Sequence, residues 1–72
     1  MKQILFYRRG NELILQDGWK WAESYTFSAD DYETAPESTR STTEWIGLGY
    51  TQIDREEAEE MFTDAGFAEA PC

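Results

Sequence analysis

Two loop-forming pairs, Gly10-Asn11 and Asp17-Gly18, stand either side of a short apolar run and commit the first 27 residues to an antiparallel meander. Glycine at the first position of Gly10-Asn11 meets the positive φ that a type II′ hairpin turn needs there, and Asp17-Gly18 tolerates positive φ at both positions. Residues 2–9, 12–16 and 19–27, rich in β-branched, aromatic and long apolar side chains, supply the three strands. Two-residue loops also fix a register in which Arg9 faces Glu12, Phe6 faces Leu15, Tyr7 faces Ile14, and Ile14 faces Trp21. One sheet face then carries Ile4, Phe6, Arg8, Leu13, Leu15, Lys20 and Ala22. The other carries Leu5, Tyr7, Arg9, Glu12, Ile14, Trp19, Trp21, Glu23 and Tyr25.

Beyond the meander the pattern changes. Ser28-Ala-Asp-Asp31 reads as a helix start and Pro36 as a stop, which gives a short helical turn at about 29–35 followed by a Ser/Thr-rich loop. Residues 44–51 alternate, with Ile46, Leu48 and Tyr50 on one side and Trp45, Gly47 and Gly49 on the other, the pattern of a fourth strand. A helix closes the chain. Asp54 is its N-cap, Glu57 stands three residues later in a capping-box relation, and Gly66 supplies the left-handed C′ position, with Phe67 placed to touch Phe62. The spacing of Ala58, Met61, Phe62 and Ala65 marks its buried stripe. The expected architecture is α+β: a small antiparallel β-sheet, a three-stranded meander plus a fourth strand, packed with a C-terminal α-helix. Residues 1–67 form one domain and 68–72 a flexible tail.

Charge is divided as sharply as structure. Residues 1–22 hold Lys2, Arg8, Arg9 and Lys20 against Glu12 and Asp17, whereas residues 23–72 carry a net −11, for a total of −9. Such a field attracts basic surfaces and repels phosphate backbones. Eleven aromatic residues and a hydrophobic fraction of 40% nevertheless give the chain a core to fold around, unlike a disordered acidic tail. Cys72, the single cysteine, leaves no intrachain disulfide and favours a reducing compartment. The apolar run Ile4–Tyr7 is too short for a signal-peptide core or a membrane span. A cytoplasmic protein without membrane attachment is expected.

Little here points to catalysis. The sequence has no histidine, so Ser-His and Cys-His nucleophile systems and the commonest transition-metal ligand are excluded, and a 72-residue chain has little room for a substrate cleft between paired carboxylates. Asp30-Asp31-x-Glu33 lacks the spacing and glycine of a calcium loop, and no phosphate-binding glycine loop occurs. No enzyme activity and no cofactor is expected.

Two constellations remain. On the outer faces of the last helix stand Glu56, Glu57, Glu59, Glu60 and Asp64; Glu56, Glu60 and Asp64 are four apart and form a row stepping roughly 6 Å along the axis. Asp30, Asp31 and Glu33 add a second acidic segment. The row is either a solvated face or a mimic of a phosphate backbone aimed at a basic cleft. The other constellation is aromatic: Trp21, with Trp19, Tyr7 and Tyr25, is either core or an anchor for a protein partner. Stacking on single-stranded nucleic acid would use such rings, but the net charge repels the strand.

In size, acidity and lack of catalytic residues the chain resembles small phage-encoded inhibitors, including anti-CRISPR proteins, some of which look like DNA mimics. The resemblance implies an inhibitor that occupies the basic surface of a nucleic-acid-binding protein or nucleoprotein complex without binding nucleic acid itself. The alternative is an adaptor or antitoxin-like module that binds through its aromatic sheet face. Exposed strand edges would also permit a homodimer.

Overall fold

A computed structural model describes residues 4–67. Five strands form one antiparallel sheet in the order β4-β3-β2-β1-β5, made of β1 (Ile4–Arg9), β2 (Glu12–Asp17), β3 (Trp21–Ser28), β4 (Asp31–Glu37) and β5 (Thr51–Ile53). Helix α1 (Thr42–Gly47) lies between β4 and β5 in sequence, and α2 (Arg55–Asp64) follows β5. The α+β class expected from the sequence is therefore observed, with five strands in place of four. Because β4 and β5 are opposite edges, the chain must cross the whole sheet between them. It does so over one face, carrying α1, and α2 then covers the other.

The first hairpin has the expected register: Arg9 opposes Glu12, Tyr7 opposes Ile14 and Phe6 opposes Leu15, with Gly10 at φ 60°. The second does not. Asp17 pairs with Trp21 across a loop of Gly18, Trp19 and Lys20, closed by a Lys20 N–H donating to the Asp17 carbonyl at 3.0 Å, so Ile14 opposes Ser24 and not Trp21. That is a displacement of three residues, and an odd displacement sends every β3 side chain to the other face. Tyr25 and Phe27 thus join Phe6, Leu13 and Leu15 on the face that α2 covers, against Ala58, Met61 and Phe62. Small or polar Ala22, Ser24 and Thr26 turn to the α1 face.

Two further expectations are corrected. Residues 29–35 are not a helical turn: Ala29 and Asp30 form a tight loop, with Asp30 at φ 64°, and residues 31–37 are the edge strand β4. Asp is among the few non-glycine residues that accept this conformation, because its short polar side chain bonds locally. Pro36 is compatible with a strand here because β4 is an edge. Residues 44–51 are not a fourth strand: 44–47 complete α1, and only Thr51 belongs to a strand, the start of β5. Ser41 is an N-cap whose hydroxyl accepts from the Glu44 N–H at 3.2 Å, while the Ser41 N–H donates to Glu44 Oε1 at 3.3 Å, a complete capping box.

Both helices end in the same way. Gly49 and Gly66, each at φ 97°, occupy the left-handed position after the last helical turn. The Gly49 and Gly66 N–H groups donate to the Ile46 and Thr63 carbonyls, and the Tyr50 and Phe67 N–H groups to those of Trp45 and Phe62, the double bond of a Schellman motif. The accompanying apolar contact is direct in α1, where the Tyr50 ring stands edge-on to Trp45 at 5.3 Å. In α2 it runs through Tyr32, which lies 5.0 Å from Phe67 and 5.6 Å from Phe62. Asp54 caps α2 as expected, accepting from the Glu57 N–H at 2.8 Å, but the Glu57 carboxylate does not close the box and turns toward Arg8. The expected stripe is observed: Ala58, Met61 and Phe62 are buried and Ala65 packs against the same cluster.

The crossing segment is fixed to the sheet by Gln16, the one buried polar residue among those described. Its Nε2 donates to the Arg40 carbonyl at 2.7 Å, and its Oε1 accepts from the Arg40 N–H at 3.0 Å and from Trp45 Nε1 at 2.9 Å. Replacing Gln16 by leucine leaves three polar partners without it, one of them deep in the core. Gln16→Leu should therefore lower unfolding free energy by about 2–4 kcal/mol, whereas Gln52→Leu on the exposed edge should change it by less than about 0.5 kcal/mol, as read by urea denaturation.

Candidate acidic interaction surface

Helix α2 lies obliquely over its sheet face. At its start Arg55 stands over the Phe6 ring at 5.3 Å and Glu57 pairs with Arg8 at 3.6 Å, so this end rests on β1. Phe62, about two turns beyond Arg55, is edge-on to Phe27 at 4.9 Å and to Tyr25 at 5.4 Å, over β3. The end reaches the β3–β4 turn: a Cβ added to Gly66 would lie 3.2 Å from Asp30 Oδ1. The buried stripe thus fixes which way the acids face. Glu56, Glu59, Glu60 and Asp64 are all exposed, and Glu57 is half-buried beside Arg8.

The structure brings some of the expected acids together and parts others. Asp30 joins the far end of the α2 row, beside Gly66. Asp31 and Glu33 do not: their pairing with Ser28 and Thr26 puts them on the α1 face of β4, together with Glu37 opposite Ala22. Two acidic surfaces result, one on α2 and one along the edge strand. Arg8 pairs with Glu57 and Arg9 with Glu12, and neither arginine reaches Glu56, Glu59, Glu60, Asp64, Asp31 or Glu33. Repulsion within the row costs about 0.2–0.5 kcal/mol per neighbouring pair on an isolated helix. No basic residue occupies the last turn of α2, so Asp64 there opposes the helix dipole without relief.

The aromatic surface largely disappears into the core. Tyr7 and Ile14 pack with Trp45 and Tyr50 under α1, and Tyr25 belongs to the cluster under α2. Trp21 is 37% exposed on the α2 face, and Trp19 is 68% exposed in the β2–β3 loop. With the register as found, the two indoles belong to different parts of the surface and do not form a platform.

Residues outside the two constellations organise the α1 face, and the expected Arg9–Glu12 pairing is among their contacts. Arg9 donates from Nη1 to the Leu48 carbonyl at 2.8 Å, from Nε to Glu12 at 3.0 Å, and lies over the Tyr50 ring at 4.4 Å. It therefore caps the C-terminus of α1 with a positive charge, the favourable sign for that end of a helix. Burial, aided by Glu12 and Glu37 and opposed by Arg9, holds the Tyr50 phenol above its ordinary 10.0. Beneath the β2–β3 loop, Trp19, Leu5 and Arg40 border a small cavity on this face.

Among the described residues no helix is long and apolar enough to cross a membrane, and no group of three or more Asp, Glu, His or Cys side chains is placed to hold a metal ion. Cys72 lies outside the described residues. Comparison with protein-family models, with curated proteins and with solved structures finds no match.

The folded state binds the Tyr50 proton more tightly than the unfolded chain does. The corresponding stability is present below pH 10 and is lost as pH rises through the folded pKa. A spectrophotometric tyrosinate titration should show a late-ionising group that Tyr50→Phe removes, and the variant should lose part of the alkaline fall in stability.

Proposed function

We propose that the chain is a non-enzymatic acidic inhibitor that docks the α2 row, Glu56, Glu59, Glu60 and Asp64 with Asp30 at its end, on the basic surface of a nucleic-acid-binding protein or nucleoprotein complex. The observation that carries the reading is the line of exposed carboxylates Glu56, Glu59, Glu60 and Asp64 on α2, which stands outside both the Arg8–Glu57 and the Arg9–Glu12 pair. The row is held rigidly by a buried apolar stripe, so little side-chain-bearing backbone has to be ordered on binding. A line of fixed carboxylates offers such a partner the charge pattern of a nucleic-acid strand, in the manner of the anti-CRISPR-like inhibitors and DNA mimics that the composition resembles. The setting is the cytoplasm, where such partners are found.

The runner-up, an adaptor that binds through an aromatic sheet face, has lost most of its rings to the core. Trp21 keeps partial exposure on the α2 face, but it pairs with Asp17 at the end of β3 away from the β3–β4 turn that α2 reaches, and so stands apart from the acid row. Self-association through β4 is disfavoured, because antiparallel pairing of two copies would bring Asp31, Glu33 and Glu37 against their own kind along an edge already interrupted by Pro36.

Immobilised protein should retain nucleic-acid-binding proteins from a bacterial lysate, and free duplex DNA should displace them. Affinity for a retained partner should fall by about tenfold or more between about 50 and about 200 mM salt. Glu56→Lys, Glu60→Lys and Asp64→Lys together should abolish retention while far-UV circular dichroism stays unchanged. Retention that ignores salt, or that Trp21→Ala removes while the triple reversal does not, contradicts the proposal.

A further inference from the structure

On the sheet face opposite α2, the β2–β3 loop and the chain entering α1 enclose an open cavity of about 210 Å³ bordered by Leu5, Tyr7, Gln16, Trp19, Arg40 and Thr42. Most of its polar groups have partners. The Tyr7 hydroxyl bonds Thr42 Oγ1 at 2.8 Å, and the Gln16 amide is committed to Arg40 main chain and Trp45. Arg40 is the exception: its Nε is buried without a hydrogen bond, and neither terminal nitrogen has a hydrogen-bond or ion-pair partner among the described residues. Its position is nonetheless fixed, by the two backbone bonds to Gln16 and by the Trp45 ring 5.6 Å below its guanidinium.

An unpaired guanidinium on the margin of a cavity is unusual in a chain with fifteen acids. The walls beside it are apolar and open: Trp19 is 68% exposed and Leu5 36%. We propose that this cavity binds a small organic monocarboxylate with a flat apolar body, the carboxylate on the Arg40 terminal nitrogens and the body against Trp19 and Leu5. A guanidinium offers a carboxylate two parallel donors, and an indole face offers a flat ring a stacking surface. A single cation inside a field of −9 selects a monoanion, since a phosphate dianion meets twice the repulsion for one compensating charge. The cavity is below the usual size for drug-sized ligands, which restricts the occupant to roughly one ring. This site faces away from the α2 row and does not depend on the inhibitor reading.

The test is a titration of the intact protein with benzoate, with benzamide and phenyl phosphate as controls, followed by amide NMR shifts and indole fluorescence. Saturable shifts should be confined to Leu5, Gln16, Trp19 and Arg40–Thr42, with a dissociation constant on the order of 1 mM. Benzamide should bind at least about tenfold more weakly, and Arg40→Gln should lower benzoate affinity by a similar factor. Trp19→Ala, in an exposed loop outside the core, should also weaken binding and provides the check should Arg40→Gln not fold. Equal binding of benzamide, tighter binding of phenyl phosphate, shifts centred elsewhere, or no saturation would overturn the proposal.

Discussion

The fold depends on one buried amide. A chain that ends β4 at one edge of the sheet and starts β5 at the other must lay more than a dozen residues across a sheet face, and the backbone of that crossing needs partners that a short helix cannot supply. Gln16 provides them, taking both polar groups of Arg40 and the indole N–H of Trp45 at once. Trp45 then packs on Tyr7 at 5.9 Å and α1 is fixed over β1 and β2. Only with α1 so placed do Gly49 and Tyr50 deliver the chain to pair Thr51–Ile53 with β1, which in turn sets where α2 begins. A polar side chain near the end of the central strand is thus a structural necessity of this topology.

The same arrangement explains how so acidic a chain folds and where its charge remains. Its basic residues in the first strand are used within the molecule: Arg8 holds Glu57 at the start of α2, and Arg9 holds the last turn of α1 together with Glu12. Each therefore ties a helix to β1. Two of the four basic residues of the +2 segment, Arg8 and Arg9, serve as attachment points, and the acids dominate the outward field.

How much of this was legible follows from what each signal encodes. The first hairpin and α2 were legible because local chemistry determines them: Gly10 sets the turn, Asp54 and Gly66 set the ends, and a 0, 3, 4, 7 stripe sets the buried side. The second hairpin was not, because Asp17-Gly18 is compatible with loops of two or three residues and the choice lies with the tertiary structure. Only the longer loop puts Tyr25 and Phe27 under Phe62. Helix α1 was hidden by a false alternation at residues 45–50, although Ser41-x-x-Glu44 and the Trp45–Tyr50 spacing around Gly49 carry its capping signature. The same error in register made Trp21 and Tyr25 look like one surface with Trp19. Arg40 and Gln16 had no local signal, since each matters only through a residue distant in sequence.

Closely spaced carboxylates on α2 are a cost to the isolated domain, which must find its stability elsewhere. It finds it in the rings beneath them: Phe62 makes edge-on contacts with Tyr25, Phe27 and Tyr32, each worth about 0.5–1.5 kcal/mol beyond the area it buries. A few such contacts exceed the repulsion of the acids outside, at about 0.2–0.5 kcal/mol per pair. Salt screening acts on these terms in opposite ways. It relieves repulsion along the helix and leaves the aromatic core untouched, while it weakens any attraction between the acids and a basic partner. The domain can therefore hold its carboxylates in a fixed row without a partner present, and the energy of their mutual repulsion is returned when a basic surface covers them.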